Sequence, residues 1–151
     1  LSLLSGRNPE YLIGQHLKTS KEIFQLELET IPTAYLLIDG GKYSSTGYVS
    51  QTLPIPQKEV DIIYRTALSG VLQGKLLIYL DAGSGASHVI KEEIIKKCSS
   101  IGKPLIIGGG ISSIEQIEVA HNAGANIVVI GNHIEENTDF LLDLNKYCTS
   151  I

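Results

Sequence analysis

From residue 75 onward the apolar and polar positions follow two patterns in turn. Residues 76–80 (Leu-Leu-Ile-Tyr-Leu) form a continuous apolar run, as expected for a strand buried on both faces. Ile90, Ile94, Ile95 and Cys98 then recur at helical spacing, with Lys96 and Lys97 in the last turn, where basic side chains complement the helix dipole. Residues 104–107 read as a second buried strand, ending in Gly108-Gly109-Gly110. Ser112 with Glu115 three positions on predicts a capping box and the start of a helix. Residues 127–130 read as a third strand ending in Gly131-Asn132, and Phe140, Leu141, Leu144 and Tyr147 line one face of a last helix. Strands and helices that alternate in this way predict an α/β fold of parallel strands joined by right-handed crossovers.

The first half carries the same alternation less cleanly. Residues 1–4 read as a strand remnant. Asn8 before Pro9 is a good helix start, an N-cap with proline at the first helical position. Residues 29–37 predict another strand, ending in the turn Asp39-Gly40-Gly41. Residues 42–56, rich in Ser, Thr, Gly and Pro, predict a long loop, which in a compact domain is usually functional or disordered. Val60, Ile63, Tyr64, Ala67, Leu68 and Val71 then form an apolar helix stripe. Five strands and at least five helices result, in a single domain spanning residues 1–151.

Composition narrows the class. The chain has 151 residues, 43% of them hydrophobic and 19% charged, which excludes low-complexity disorder. The longest apolar runs, residues 34–38 and 76–80, fall far short of the roughly 20 residues a membrane-spanning helix needs. Twelve basic against 16 acidic residues give a net charge of −4, which argues against nucleic acid as a partner. Cys98 and Cys148 fit no metal spacing and no disulfide framework, and read as reduced, buried cysteines of a cytoplasmic protein. The chain contains no Met and begins inside a strand, so we expect it to be the C-terminal part of a longer protein.

The candidate chemistry sits where strands end. Asp81-Ala82-Gly83-Ser84-Gly85, Gly108-Gly109-Gly110 and Gly131-Asn132 each follow a strand and precede a helix. Glycines there allow backbone N–H groups to approach a ligand closely, and helix N-termini favour an anion, so the three turns together suit a phosphate. Parallel α/β folds bind ligands at these carboxyl ends. Tyr79 and Asp81 flank Leu80 and therefore point to one side of their strand. Asp81 could serve as a general base or orient a substrate hydroxyl, or could simply hold its own turn. His88 stands where a dinucleotide fingerprint would need its third glycine, which argues against a Rossmann site. The four histidines, His16, His88, His121 and His133, share no metal spacing.

Five motifs in order carry a resemblance: Ser5 to Gln15 (Ser-Gly-Arg-Asn-Pro-Glu-Tyr-Leu-Ile-Gly-Gln), Ile31-Pro32-Thr33-Ala34-Tyr35, Tyr79 to Ala86 (Tyr-Leu-Asp-Ala-Gly-Ser-Gly-Ala), Gly108-Gly109-Gly110-Ile111, and Gly131-Asn132. The chain resembles the geranylgeranylglyceryl phosphate synthase family, including its heptaprenylglyceryl phosphate synthase relatives. The glycine turns alone are shared by other phosphate-binding barrels, such as sugar-isomerase and indole-synthesis types, whereas Arg7-Asn8-Pro9-Glu10-Tyr11 discriminates against these. The resemblance implies a TIM barrel of eight β/α units that joins a polyprenyl diphosphate to sn-glycerol 1-phosphate, with Mg²⁺ stabilising the leaving diphosphate. It implies that Tyr79, Leu80, Asp81, Ala82, Gly83, Ser84 and Gly85 contact glycerol phosphate. Gly109, Gly110, Gly131 and Asn132 would complete the phosphate cradle, with Asp81 and Tyr79 as catalytic residues. Arg7, Asn8 and Gln15 would help form the prenyl diphosphate end. Homo-oligomers and transient work at a membrane surface are implied as well.

Two departures from the family pattern matter. Asp81 stands where the family usually has Glu, and a carboxylate displaced by about 1 Å can cost on the order of 100-fold in rate. Residues 1–4 match the family's fourth strand, so this chain corresponds to strands 4–8. The Mg²⁺ ligands are then expected outside it, on about three preceding strand–helix units. The opposing expectation is a piece that binds phosphate and catalyses nothing.

Overall fold

The structure, a computed structural model, describes residues 1–150. Five strands, β1 (Ser2–Leu3), β2 (Thr33–Leu37), β3 (Leu77–Asp81), β4 (Leu105–Gly108) and β5 (Ile127–Val129), form one parallel sheet in the order β1-β2-β3-β4-β5. Parallel neighbours need a crossover between them, and helices supply it. A wide π-type turn over Glu10–Gly14 leads into α1 (Gln15–Gln25), and α2 (Ser45–Ser50) and α3 (Val60–Leu72) link β2 to β3. Helices α4 (Glu92–Ser99), α5 (Ile114–Asn122), α6 (Asn132–Glu136) and α7 (Phe140–Ser150) follow the later strands.

The side-chain period of two divides each strand between two environments. On the helix-covered side, Ala34, Leu36, Ile78, Leu80, Leu105 and Ile107 are buried against Ile63 and Ala67 of α3 and Ile94, Ile95 and Cys98 of α4. Each leucine or isoleucine among them contributes about 1.5–3 kcal/mol through burial. The other side carries a smaller cluster of Leu3, Tyr35 and Leu37, with Tyr11 and Tyr79 against it. Residues paired across parallel strands share a face. Tyr35, Tyr79, Ile106 and Ile127 therefore make one row, and Leu37, Asp81, Gly108 and Val129 make the next, at the carboxyl ends.

Several sequence expectations need correction. Strand β3 is not buried on both faces: Ile78 and Leu80 are, while Leu77, Tyr79 and Asp81 are half-buried on the open side. The strand expected over 29–37 begins at Thr33, and that over 127–130 ends at Val129. The 42–56 segment is not all loop. Ser44 accepts from the Gly47 N–H at 3.1 Å and starts α2, which Gln51 stops in a left-handed conformation at φ 54°. The α5 cap is Ser113, not Ser112. The Ser113 hydroxyl accepts from Gln116 N–H, and the Gln116 side chain reaches back to the Ser112 N–H at 2.8 Å. Two adjacent serines before Glu115-Gln116 allow both registers, and the second one wins. Leu141 is exposed on α7, and Cys148 is exposed rather than buried. Asn8 does cap its helix, its Oδ1 accepting from Glu10 N–H at 3.1 Å.

Candidate active site

A pocket of about 420 Å³ lies at the carboxyl ends of β3, β4 and β5. The β3–α4 turn contributes Ser84, Gly85 and Ala86, the β4–α5 turn contributes Gly109 to Ser112, and Gly131 and Asn132 open α6. Two contacts fasten the turns together. The Ser84 hydroxyl donates to Asn132 Oδ1 at 2.7 Å, and Ala82 N–H donates to the Gly108 carbonyl at 2.9 Å. Gly109 has φ +89°, and a Cβ there would stand 2.7 Å from the Gly83 nitrogen. Only glycine allows these two turns to meet so closely.

Asp81 is the last residue of β3 and lines the pocket with Tyr79. Its Oδ1 accepts from the Gly83 N–H at 2.8 Å, and its Oδ2 accepts a short hydrogen bond from the Tyr35 hydroxyl. One carboxylate thus pins its own turn and is oriented from the neighbouring strand. A carboxylate oxygen has two lone pairs, so each can still accept from a substrate hydroxyl. Tyr35 packs edge-on against Tyr79 with ring centroids 5.1 Å apart. Burial, and then the Asp81 carboxylate, push the Tyr35 phenol well above its usual value. The same two causes push Tyr79 up to about 12, so both tyrosines stay protonated at neutral pH.

The structure sorts the sequence-derived residues. Tyr79, Asp81, Ser84, Gly85, Gly109, Gly110, Gly131 and Asn132 come together around this pocket. Leu80 does not: the pleat turns it into the helix-covered core, fully buried. Ala82 is likewise a core residue, and Gly83 is not among the residues lining the pocket, its N–H donating to Asp81. Arg7, Asn8 and Gln15 stand apart from the cradle. Arg7 donates to the Gly6 carbonyl at 2.8 Å and lines a separate groove between α1 and α3. Asn8 donates to the Ser50 carbonyl at 3.4 Å, and Gln15 is tied to Glu10 on the exposed face of α1. Sequence reasoning gave no site role to Tyr35, Lys42, His133 or Glu136, although it quoted Tyr35 in a family motif and weighed His133 as a metal ligand. The local signal for Tyr35 was its place as the last residue of the Ile31–Tyr35 motif, at the start of a predicted strand's apolar run.

Among the described residues no three His, Cys, Asp or Glu side chains converge to hold a metal ion. Asp81 already accepts from the Gly83 N–H and the Tyr35 hydroxyl, and the other acid and imidazole of the lining, Glu136 and His133, come from α6 and do not join it in a ligand cluster. The side chains present do not by themselves fit a Mg²⁺ site.

A parallel β/α sheet with a glycine-lined pocket at its strand ends, and a clamped carboxylate inside it, defines an α/β protein whose candidate ligand site lies where such folds place theirs. Comparison with known proteins is more specific. Residues 1–147 match the PcrB family, and the chain belongs to that family. Over 136 residues, 89% of this chain and 58% of the relative, it is 50% identical to the geranylgeranylglyceryl phosphate synthase of Zunongwangia profunda. It is 43% identical to the corresponding protein of Chitinophaga pinensis, covering 95% of this chain and 58% of that one. The chain thus spans less than two thirds of the length of these curated relatives. The crystal structure of (S)-3-O-geranylgeranylglyceryl phosphate synthase from Thermoplasma acidophilum, in complex with its substrate sn-glycerol-1-phosphate, superposes with a TM-score of 0.83 and 31% identity. That match covers 89% of this chain and 54% of the other.

Proposed function

We propose that this chain works as the glycerol phosphate side of a prenyltransferase that joins a polyprenyl, geranylgeranyl-type diphosphate to sn-glycerol 1-phosphate. The observation that carries the reading is one pocket in which a clamped carboxylate, Asp81, adjoins three glycine-bearing turns. Family membership and the names of the relatives support the choice of substrates. The phosphate sits against the Gly85, Gly109, Gly110 and Gly131 turns. Ser84 and Asn132 brace the cradle from opposite sides. Tyr79 shapes the wall, and Asp81 accepts from the attacking glycerol hydroxyl, directing its lone pair at the first prenyl carbon. There the C–O ether bond forms, the bond to diphosphate breaks, and the hydroxyl proton passes to the Asp81 carboxylate. Arg7, Asn8 and Gln15 remain a proposal for the diphosphate end.

We place the sheet within a complete eight-stranded barrel, as strands 4–8, with this whole chain part of that one domain. The exposed apolar side chains of Ile127 and Val129 on the edge strand β5, and of Leu17 and Phe24 on α1, support that placement, because the remaining barrel units would cover them. The ligands of a Mg²⁺ ion belong to those units in this reading. A cytoplasmic site of action is supported by two free thiols, Cys98 and Cys148. No helix among the described residues is long and apolar enough to cross a membrane.

The test is direct. The intact protein is incubated with sn-glycerol 1-phosphate, geranylgeranyl diphosphate and Mg²⁺, and ether product is measured. Product formation is expected. Retained phosphate binding with no ether product would overturn the prenyltransferase reading and leave a binding role.

A further inference from the structure

The charges lining the pocket do not match a phosphate ligand unless one of them is put to use. Asp81 and Glu136 supply carboxylates, and Lys42 is the one lysine or arginine among the lining residues. A phosphate monoester carries about −1.5 to −2 charge at neutral pH. Without Lys42, backbone N–H groups, the neutral side chains of Tyr79, Ser84, Ser112 and Asn132, and the His133 ring would have to hold that dianion against two acids.

The fold brings Lys42 to the mouth of the cradle by a specific device. The β2–α2 turn is fastened to the β3–α4 turn: Ser87 and His88 N–H groups donate to the Gly40 carbonyl at 2.8 and 3.0 Å. Gly41 N–H donates to Asp39 Oδ1 at 2.9 Å, which fixes the residue before Lys42. A Cβ on Gly40 would stand 2.3 Å from the Ala82 carbonyl oxygen and 2.6 Å from the Ala86 Cβ. The two turns therefore meet in a contact that any side chain would block, and the next residue to be free is Lys42. It is exposed and makes no ion pair or hydrogen bond among the described residues.

We propose that Lys42 is the anion-recognising side chain of this pocket, closing over the phosphate of glycerol phosphate as its countercharge. The inference rests on the phosphate reading above and adds a charged binding residue from a third turn. A charge-assisted contact of this kind changes affinity by roughly 10- to 100-fold.

Calorimetric titration of the intact protein with sn-glycerol 1-phosphate and with inorganic phosphate, at low and high salt, tests it. K42Q is expected to weaken binding of both by about tenfold or more, and to make the remaining affinity less salt-dependent. K42R should stay within about threefold of wild type, because a guanidinium also pairs with phosphate. Circular dichroism of K42Q should match wild type, since the side chain is exposed. Affinities equal within about twofold in wild type and K42Q would overturn the Lys42 assignment while leaving the proposed function standing. A K42R as weak as K42Q would overturn it too. Wild-type protein that binds neither ligand would overturn the phosphate reading itself, and this inference with it.

Discussion

Tyr35→Phe removes one hydroxyl and almost nothing else. Tyr35 is buried at 9% exposure, and a phenylalanine keeps its edge-on contact with Tyr79 and its place beside Leu3 and Leu37. What goes is the donor to Asp81 Oδ2. A hydrogen bond to a charged group is worth about 1.5–3 kcal/mol, and here the abandoned acceptor is a half-buried carboxylate. At about 2–4 °C per kcal/mol for a domain of this size, thermal unfolding should fall by about 3–12 °C. The effect on catalysis is separate. Asp81 keeps only the Gly83 N–H as its orienting partner, and its free oxygen can turn. Misplacement of a reacting group by an ångström can cost about 100-fold, so kcat should fall by about 10- to 100-fold with KM for glycerol phosphate within about threefold. Steady-state kinetics with differential scanning calorimetry read both. A lowered melting temperature with unchanged kcat would make Tyr35 merely structural, and no change in either would refute the hydrogen bond's role. In a cycle with Asp81→Asn, the two changes should couple by about 0.5–3 kcal/mol.

Asp81→Asn keeps the shape of the side chain but not its negative charge, and turnover should drop by about 100-fold or more; undiminished turnover refutes the hydroxyl-orienting role. Gly109→Ala forces a Cβ to 2.7 Å from the Gly83 nitrogen at φ +89°, so stability should fall by about 2–4 kcal/mol in urea unfolding, with phosphate binding lost; an undisturbed variant would mean that the turns are not in contact. Burial pushes the Cys98 thiol from 9.0 up to about 12, Lys97 pulling weakly the other way. The folded state therefore holds that proton more tightly than the unfolded one. The stabilisation is complete below about pH 9 and is lost as pH rises toward 12, at up to about 1.4 kcal/mol per pH unit. Urea unfolding at pH 8, 9.5 and 10.5 should show this decline, and Cys98→Ala should make it shallower without abolishing it, because Tyr35 and Tyr79 are raised as well and add to the loss above about pH 10; an unchanged slope in the variant assigns the decline to the tyrosines alone.

Much of the architecture is legible because it depends on short-range pattern. The β/α alternation after residue 75 follows from apolar runs separated by helical stripes, and the glycine turns mark where each strand stops. The errors have local causes as well. Helix α2 is six residues long and holds Gly47 and three Ser or Thr residues, a composition indistinguishable from loop without the Ser44 cap. Strand β3 is uniformly apolar up to Asp81, so the pattern could not say that one face would be left half-open. Leu80 and Ala82 entered the candidate site because they lie inside a motif. The pleat sends them the other way, a consequence of strand geometry that alternation alone already implied for Leu80.

The order of apolar runs, glycine turns and motifs is enough to assign the α/β class and the family. Gly109, Asp81 and the Ser84-Gly85 turn are legible in the chain itself, since each stands at a strand end that the hydrophobic pattern marks. The pairings of these residues come from the folded sheet. Tyr35 meets Asp81 across 46 residues because the β2–β3 register sets Tyr35 beside Tyr79, one row below Asp81. Ser84 reaches Asn132 over 48 residues, and Lys42 comes to the cradle because Gly40 lets two turns touch. Period and propensity act over a few neighbours, whereas register and close approach are settled by packing of the whole sheet. The candidate residues were therefore readable one at a time, and their partnerships were not.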